Sequence, residues 1–395
     1  MNRLDPQPAA DMIDVAALRA VEFPWADRDG VAYLNNASTG PLPARTVRSM
    51  NDFTKLRAEP HRISDALQFG SIERTRQLCA QLIGASASEI ALLTNTSYGI
   101  NLAARALPLR AGDTVLSFDR EFPANVYPWL ALEKAAGVTL RQLPSIDGLP
   151  DEEALHRALD EVPRVRAVTV SWVSFSTGYR VDLRRLGEAC RQRGIYLVVD
   201  AIQGVGALEL DLSRCHVDVL ACGAQKWLLS PWGTAFVYVR SGLLRQLEPQ
   251  AVGWMSVQGS SDFTRLLDYN LRYHDDARRF EVITLPFQDF VGMNASLDLL
   301  FEIGPAAVEA HVVRLATRIV DWATDRDGVR LVTPADHARR AGIVALTMAD
   351  AAAASARLSA AKVPHSLREG AIRLAPHFYN TEAEVDRALT ALEQG

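Results

Sequence analysis

Short apolar runs alternate with helical segments along the middle of this chain of 395 residues, and this alternation constrains the fold most strongly. Segment 182–194 (DLRRLGEACRQRG) has helical period and ends in glycine, as helices between strands commonly do. The flanking runs are rich in β-branched residues and bounded by Gly, Asp or Pro, which predicts strands buried on both faces. These runs are 167–173 (AVTVSWV), 195–199 (IYLVV), 217–221 (VDVLA) and 235–239 (AFVYV). The pattern predicts an α/β fold with a mostly parallel, doubly wound sheet.

A second, smaller domain is expected after this sheet, since the chain is too long for one small core. Beyond residue 291 the sequence changes to long Ala/Leu-rich helical runs with two short predicted strands, near 342–346 and 371–374. We therefore predict a large domain over residues 22–295 and a small α+β domain over residues 296–395. The N-terminal segment 1–21 is expected to join the small domain, although its predicted helix at 14–22 is free to pack on either one.

Composition narrows the class of partner. The net charge is −5, and the lysines and arginines are scattered, so neither nucleic acid nor a membrane is expected as a partner. The N-terminus carries acids where a signal peptide has an apolar core. The cysteine spacings match neither a zinc ribbon nor a disulfide framework, which predicts no metal site and a reduced, cytoplasmic chain. The cysteines are Cys79, Cys190, Cys215 and Cys222.

An acid and a lysine follow two neighbouring predicted strands. Asp200 comes directly after IYLVV, and Lys226 follows the next strand in the segment CGAQKW. Ligands of doubly wound sheets bind beyond the carboxyl ends of the strands, so both side chains are expected at one site. Pyridoxal phosphate requires this pair, because the lysine forms a Schiff base and the acid keeps the pyridine nitrogen protonated. The spacing alone favours the other interpretation, an ion pair at a strand end.

Two upstream segments fit the same cofactor. The segment 93–102 (LTNTSYGINL) places the hydroxyls of Thr96 and Ser97 at a predicted helix start, where free backbone N–H groups and the helix dipole bind phosphate. Phe122 follows the predicted strand 114–118, in a position suited to stacking on a ring. Taken singly, the first segment favours an ordinary helix cap and the second favours a core phenylalanine.

Taken together, these segments resemble the class V aminotransferase superfamily of pyridoxal-phosphate enzymes, which includes cysteine desulfurases, kynureninases and isopenicillin N epimerase. The likeness runs from YLNNAS (33–38) to RLAPHFYNT (373–381) and is most specific in the arrangement Asp200, Gln203, Lys226. The resemblance implies the aspartate aminotransferase-like fold of PLP-dependent transferases.

The resemblance also implies roles for individual residues. Lys226 is the implied catalytic lysine, and Thr284 resembles a threonine that relatives lend to the phosphate of the other subunit, which implies a homodimer with shared active sites. The implied cofactor-binding residues are Thr96, Ser97, Phe122, Asp200, Gln203, Gln225, Lys226 and Thr284. The implied substrate-binding residues are Arg373, which clamps an α-carboxylate, together with Ser38 and Asn36.

The chain departs from the desulfurases in this superfamily. Those enzymes accept sulfur on a cysteine shortly before the equivalent of Arg373, whereas this sequence has no cysteine after Cys222. Phe175 and Gly223 also replace an asparagine and a serine of the desulfurase pattern. The sequence therefore predicts that the protein is not a persulfide-forming cysteine desulfurase.

The predicted reaction starts with removal of the Cα proton of an amino acid, through a Schiff base between substrate and cofactor, with the freed Lys226 amine as the base. Aminotransferase or β-lyase activity is the first hypothesis. Epimerisation of the isopenicillin N epimerase type is the alternative, and it needs a second acid-base group, for which Tyr127, His274 and His365 are candidates. The acidic and aromatic loop 273–276 suggests a large or partly cationic substrate.

Two further classes of protein stay open. The pair Gly204 and Gly206 near Asp200 suggests an NAD-dependent dehydrogenase, although the third glycine of the dinucleotide motif is missing. A non-catalytic binding protein on the same fold is the other rival. Retention of Lys226, Asp200 and Arg373 together argues against it.

Overall fold

A computed structural model describes residues 13–282 and 284–393. The first twelve residues of the predicted segment 1–21 thus lie outside the described residues. The helices are α1 (Val15–Glu22), α2 (Pro24–Arg28), α3 (Ala44–Ala58), α4 (Asp65–Leu82), α5 (Thr96–Ala106), α6 (Tyr127–Ala136), α7 (Glu152–Glu161), α8 (Leu183–Arg193), α9 (Ser241–Leu244), α10 (Phe287–Ile303), α11 (Pro305–Thr324), α12 (Ala351–Ala360) and α13 (Glu382–Glu393). The strands are β1 (Ile90–Leu93), β2 (Thr114–Phe118), β3 (Thr139–Leu143), β4 (Val165–Ser171), β5 (Tyr196–Asp200), β6 (Val219–Gly223), β7 (Ala235–Val239), β8 (Val329–Leu331), β9 (Val344–Met348), β10 (Ser366–Arg368) and β11 (Ala371–Leu374).

The larger sheet has seven strands in the order β1-β7-β6-β5-β4-β2-β3. All four strands predicted between residues 167 and 239 are present, and β4, β5 and β6 are parallel as expected. Strand β7 runs antiparallel to both of its neighbours. Its short connection from β6 carries no crossover helix of the kind that joins parallel strands, so the chain returns in the opposite direction. The α/β fold with a mostly parallel sheet is confirmed.

Both faces of this sheet are buried. Val198 and Val219 belong to one apolar cluster, and Leu197 and Val199 belong to another on the opposite face. Helix α8 covers part of the second face and begins and ends where the sequence predicted. The Asp182 carboxylate caps its first turn, accepting a hydrogen bond from the backbone of Arg185 at 3.0 Å. Helices cover both faces of this sheet, so side chains on both faces of each strand are apolar. The apolar runs in the sequence are therefore continuous rather than alternating.

The smaller sheet has four antiparallel strands in the order β10-β11-β9-β8, where the sequence predicted only two. The two missed strands, β8 and β10, have three residues each and no apolar run. Strands β10 and β11 form a tight hairpin around Glu369 and Gly370, whose φ angles are 48° and 78°. This hairpin sets Ser366 opposite Arg373. The division of the chain at residue 295 stays a prediction.

Helix α1 contacts elements on both sides of that predicted boundary. Arg19 pairs with the carboxylate of Glu384 in α13 at 2.8 Å, and it donates to the carbonyl of Tyr379 at 3.2 Å. Glu22 binds Arg45 in α3 at 2.7 Å. Buried ion pairs therefore hold this helix against α3 and α13 together.

The long helices α10 and α11 are apolar on the sides that face the protein. Val312, Leu315 and Ile319 of α11 are fully buried, whereas Arg314 and Arg318 on its other side pair with acids of α13 at the surface. This amphipathic pattern is typical of a helix that packs on a sheet. Within residues 13–282 and 284–393, none of the helices combines the length and apolar composition needed to cross a membrane.

Candidate active site

Two strand ends bring Asp200 and Lys226 together, as the sequence predicted. Asp200 is the last residue of β5 and pairs with Ala221 of β6, the strand that leads to Lys226. Because β5 and β6 are parallel, the chain leaves both strands at the same edge of the sheet. Each charge is close enough to shift the pKa of the other group.

Burial dominates the electrostatics of this pair. It raises the pKa of Asp200 to about 6, against the opposing effects of a hydrogen bond from the Ile202 backbone and of the Lys226 charge. Burial also lowers the pKa of Lys226 to about 8, and the positive charge of Arg373 acts in the same direction. At pH 7 about a tenth of Lys226 is therefore the neutral amine, far more than in an ordinary lysine, and this is the form that attacks a carbonyl or accepts a proton.

The turn that carries Lys226 is held by its backbone carbonyls. The carbonyl of Gln225 accepts from the Gly40 backbone N–H at 2.9 Å, and that of Lys226 accepts from Asn36 Nδ2 at 3.4 Å. Gly40 must be glycine, because a Cβ at this position would overlap the Lys226 carbonyl. Asn36 is fully buried and also accepts a hydrogen bond from the hydroxyl of Tyr379. Its observed contacts thus hold the lysine turn, whereas the sequence predicted that it binds substrate.

His377 completes this support, and the sequence analysis missed it. Its Nδ1 accepts from the backbone N–H of Phe378 at 2.7 Å, so the proton is on Nε2, which donates to the carbonyl of Trp227 at 2.9 Å. Complete burial lowers the pKa of His377 to about 3. The signal that pointed to it was its place in the RLAPHFYNT segment, directly after a strand that ends beside the site.

A pH-dependent contribution to stability follows from neutral His377. The folded pKa lies below the unfolded value of about 6.5, so the unfolded chain takes up the proton first and the free energy of unfolding falls as the pH drops. Between about pH 6.5 and about pH 4, wild-type protein is expected to lose about 2–3 kcal/mol more stability than His377→Gln. Urea unfolding at several pH values measures this difference. Equal acid sensitivity of the two proteins would contradict it.

Gln203 lies under the same turn. Its Oε1 accepts from the indole Nε1 of Trp227 at 2.8 Å, and its Nε2 donates to the carbonyl of Ala37 at 3.1 Å. The second hydrogen of Nε2 stays available for a ligand. The predicted cofactor residue therefore also fixes Trp227 next to Lys226.

The start of helix α5 meets the end of strand β6, so Thr96, Gly223 and Gln225 converge. The backbone N–H of Gly223 donates to Thr96 Oγ1 at 2.8 Å. A Cβ at Gly223 would lie 2.7 Å from Gln225 Oε1 and 3.0 Å from Thr96 Oγ1, so a serine there would require the Gln225 side chain to move. The backbone N–H of Tyr98, in the first turn of α5, donates to Asn95 Oδ1 at 2.8 Å, an ordinary helix cap. The N–H groups of Thr96 and Ser97 have no acceptor within the helix and can bind an anion. Ser97 is exposed and lines a surface cavity of about 420 Å³ with Gln250.

Two aromatic rings border Lys226. Its Nζ lies 5.7 Å from the centroid of the Phe122 ring, which contacts the Phe175 ring edge-on at 5.2 Å between centroids. Phe122 is 43% exposed, so its ring is not a core residue and one side is open to a ligand. The structure thus places Phe122 where the sequence predicted a stacking ring.

Arg373 is buried in strand β11 without a carboxylate partner among the described residues. Its Nη1 donates to the carbonyl of Phe175 at 2.7 Å, and its Nη2 donates to Ser38 Oγ at 2.8 Å and to Ser366 Oγ at 3.3 Å. Its buried Nε has no hydrogen-bond partner. Burial lowers the pKa of Arg373 to about 10. A guanidinium held in place by neutral groups is suited to bind an anion, because no internal acid competes.

Ser38 lies where the sequence placed it, but Ser366 was missed. Both hydroxyls contact Arg373, and both also bond to the side chain of Asn35. The signal for Ser366 was the Glu369-Gly370 turn, which predicts a two-residue hairpin and so sets the register opposite Arg373.

Among the described residues, the observed contacts of the remaining candidates include neither Lys226 nor Arg373. Thr284 is exposed and lines a different surface cavity, with Phe53 and Phe287. His365 bonds to Ser355 Oγ and to the carbonyl of Val363, and Tyr127 is 67% exposed. The backbone of His274 donates to Ser256. A second acid-base group therefore remains unassigned.

The residues fit pyridoxal phosphate. Lys226 is the most buried of the four lysines, and the charges of the buried Asp200 and of Arg373 both act on it. The N-terminus of α5 meets the strand that leads to Lys226, and the buried Nε of Arg373 has no hydrogen-bond partner. Among the described residues, no group of His, Cys, Asp and Glu is arranged to hold a metal ion.

Fold and site together define a pyridoxal-phosphate-dependent enzyme. Residues 32–387 match the sequence model of the family described as aminotransferase class-V, and the chain belongs to this family. Pyridoxal phosphate is accordingly its cofactor. The fold is that of the PLP-dependent transferases.

Similar proteins within this family carry different names. An uncharacterised aminotransferase, YcbU of Bacillus subtilis, is 33% identical over 81% of this chain and 83% of its own. Isopenicillin N epimerase of Streptomyces clavuligerus is 30% identical over 92% of this chain and 94% of its own. The solved apo structure of a cysteine desulfurase from Thermococcus onnurineus NA1 superposes with a TM-score of 0.86 at 23% identity, covering 98% of both chains.

Proposed function

We propose that the protein is an aminotransferase or β-lyase that removes the Cα proton of an amino acid. The observation that carries the proposal is the convergence of Lys226 and Asp200 with Arg373, a buried guanidinium that has no carboxylate partner in the described chain. An ion pair at a strand end does not need such an arginine, whereas a site for an amino acid does.

Different residues of the chain bind the substrate and remove its Cα proton. Arg373 and Ser38 bind the α-carboxylate and thereby fix the orientation of the Cα–H bond. The Lys226 amine, held by Asn36, Gly40 and the turn contacts of Trp227, takes the Cα proton on Nζ. Bound pyridoxal phosphate supplies the electron sink that stabilises the resulting negative charge.

Other residues would hold the cofactor. Asp200 would hold a proton at the pyridine nitrogen, and Gln203 would offer its free amide hydrogen to the phenolic oxygen. Phe122 would stack on the ring. Thr96 and Ser97 at the start of α5 would bind the phosphate, with Gln225 beside them.

A homodimer with shared active sites forms part of the proposal. Thr284 is exposed and lines a surface cavity with Phe53 and Phe287 rather than with Lys226, which supports a role in the site of a second copy. The four cysteines are unpaired, which supports a reducing, cytoplasmic setting.

Persulfide formation is not part of the proposal. Cys222 is the cysteine close enough to influence the pKa of Lys226. Its thiol is completely buried, and burial raises its pKa well above the ordinary value, so it stays protonated. The segment before Arg373 is the tight β10–β11 hairpin, which leaves no long loop to carry another thiol. A β-lyase that releases its leaving group freely is compatible with both observations.

Epimerisation is the second candidate, and the isopenicillin N epimerase relative supports it. Product analysis separates the three reactions. We expect a 2-oxo acid that requires an amino acceptor for transamination, ammonia with a 2-oxo acid for β-elimination, and the inverted enantiomer for epimerisation. Holoenzyme that yields none of these from any amino acid contradicts the proposal.

Substitution of Arg373 tests the substrate-binding role. Arg373→Gln is expected to lower kcat/KM by about 10²-fold, because truncating a buried charge partner costs ~2–5 kcal/mol. The cofactor should remain bound, since Arg373 does not hold it. Arg330→Gln, on the opposite edge strand β8 of the same sheet, serves as the control. Wild-type kcat/KM in Arg373→Gln would exclude the assigned role.

A further inference from the structure

Arg368 ends strand β10 on the face of the small sheet that carries Arg373. Ser366 pairs with Arg373, and Arg368 pairs with Ala371. Side chains two residues apart on a strand share a face, and Ser366 shows which face this is, because its hydroxyl contacts Ser38 and Arg373. Arg368 therefore stands on the site side of β10, as the diagonal neighbour of Arg373 at about 7–8 Å.

The hairpin fixes the base of the Arg368 side chain. Glu369 and Gly370 both have positive φ, 48° and 78°, which is the backbone of a two-residue type I′ turn. Such a turn matches the twist of the two strands, so the register of Arg368 against Ala371 is well determined. The guanidinium keeps its own rotational freedom at the end of the side chain.

The charge of Arg368 is not neutralised within the described chain. The side chain is exposed, and no ion pair or hydrogen bond to it occurs in residues 13–282 and 284–393. Its charge nevertheless reaches the site, because it lowers the pKa of both Lys226 and Arg373. The mouth of the site thus holds more positive charge than binding of one α-carboxylate at Arg373 requires.

We propose that Arg368 binds a second acidic group, so that the substrate is an amino acid with an anionic side chain. This assignment rests on the proposed function, since Arg373 takes the α-carboxylate and Arg368 takes the group at the other end. Arg373 and Arg368 are diagonal neighbours at about 7–8 Å, so they can bind the α-carboxylate and the side-chain acid of the same amino acid. Of the two acids in the loop 273–276, Asp276 pairs with Arg278 at 2.7 Å, whereas Asp275 is exposed.

The test compares isosteric pairs of amino acids: aspartate with asparagine, and glutamate with glutamine. Binding to the holoenzyme is followed through the change in absorbance of the bound cofactor, and the ratio of amide to acid dissociation constants is the readout. We expect a ratio of about tenfold or more for wild-type protein, equivalent to about 1.4 kcal/mol. In Arg368→Gln the ratio should fall to about one. Arg330→Gln should keep the wild-type ratio.

The outcomes separate two kinds of failure. An amide that binds wild-type protein as well as its acid, or a preference for the acid that persists in Arg368→Gln, overturns the assignment of Arg368 alone. If no amino acid of either kind changes the absorbance, the proposed function fails and this assignment fails with it. Because Arg368 is exposed and without partners in the described chain, its substitution leaves the fold intact, which the absorbance of bound cofactor verifies.

Discussion

Lys226→Ala is expected to abolish covalent attachment of the cofactor and to lower kcat by about 10³–10⁴-fold, the upper range for loss of a positioned general base. The reason is local. The structure places one lysine, Lys226, next to Asp200, and burial lowers its pKa so that more of the amine is neutral than in an ordinary lysine. The other lysines are exposed and cannot replace it. The measurement is borohydride reduction of the holoenzyme followed by peptide mapping, which should find the cofactor on Lys226 in wild-type protein and nowhere in the variant.

Because the chain has few lysines, peptide mapping can assign the site of cofactor attachment to one residue. The chain has four, and Lys55, Lys134 and Lys362 are all exposed. Lys134→Ala on helix α6 is therefore a matched control that should keep the covalent cofactor and full activity. Retention of the visible absorbance band in Lys226→Ala, or a reduced adduct on another lysine, would overturn the assignment.

Asp200→Asn is expected to lower kcat by about 10²-fold or more, because an amide does not hold a proton at the pyridine nitrogen as a carboxylate does. The free energy of unfolding of the apoprotein, in contrast, should increase in this variant. The folded pKa of Asp200, about 6, lies above the unfolded value, so keeping the carboxylate ionised weakens the folded apoprotein as the pH rises. At neutral pH the apo variant should therefore be more stable by about 2–3 kcal/mol.

Opposite changes in activity and stability distinguish a catalytic acid from a structural one. Denaturant unfolding of the apoproteins and kcat of the holoproteins are the two measurements. Asp160→Asn is the control, because Asp160 is an exposed carboxylate that pairs with Arg193 at the surface. A variant at Asp200 that lost stability and kept activity would show that the carboxylate is only a structural ion-pair partner.

Local patterns predicted most of the large sheet. The apolar runs around 167–173 and 195–199 became β4 and β5, and Asp182 and Gly194 cap and end helix α8. These features depend on residues within a few positions of each other, so periodicity and cap residues suffice to find them. The short strands β8 and β10 escaped prediction, because three residues are too few to show an alternation.

Parts of the site were predictable for the same reason. Asp200 and Lys226 follow strands directly, and the rule that ligands bind at the carboxyl edge of such sheets put them together. Asn36 shows where this reasoning stops. The family resemblance implied that it binds substrate, which stays a prediction, and the folded chain adds a contact with the carbonyl of Lys226, 190 residues away.

The sequence by itself determined the α/β fold, the class V family and the lysine–acid pair, since each is encoded in short segments. Only the tertiary structure decided that His377 holds the carbonyl of Trp227, 150 residues before it, and that Arg373 lacks a carboxylate partner in the described chain. Such contacts depend on how distant segments pack, and no local period or spacing records that packing.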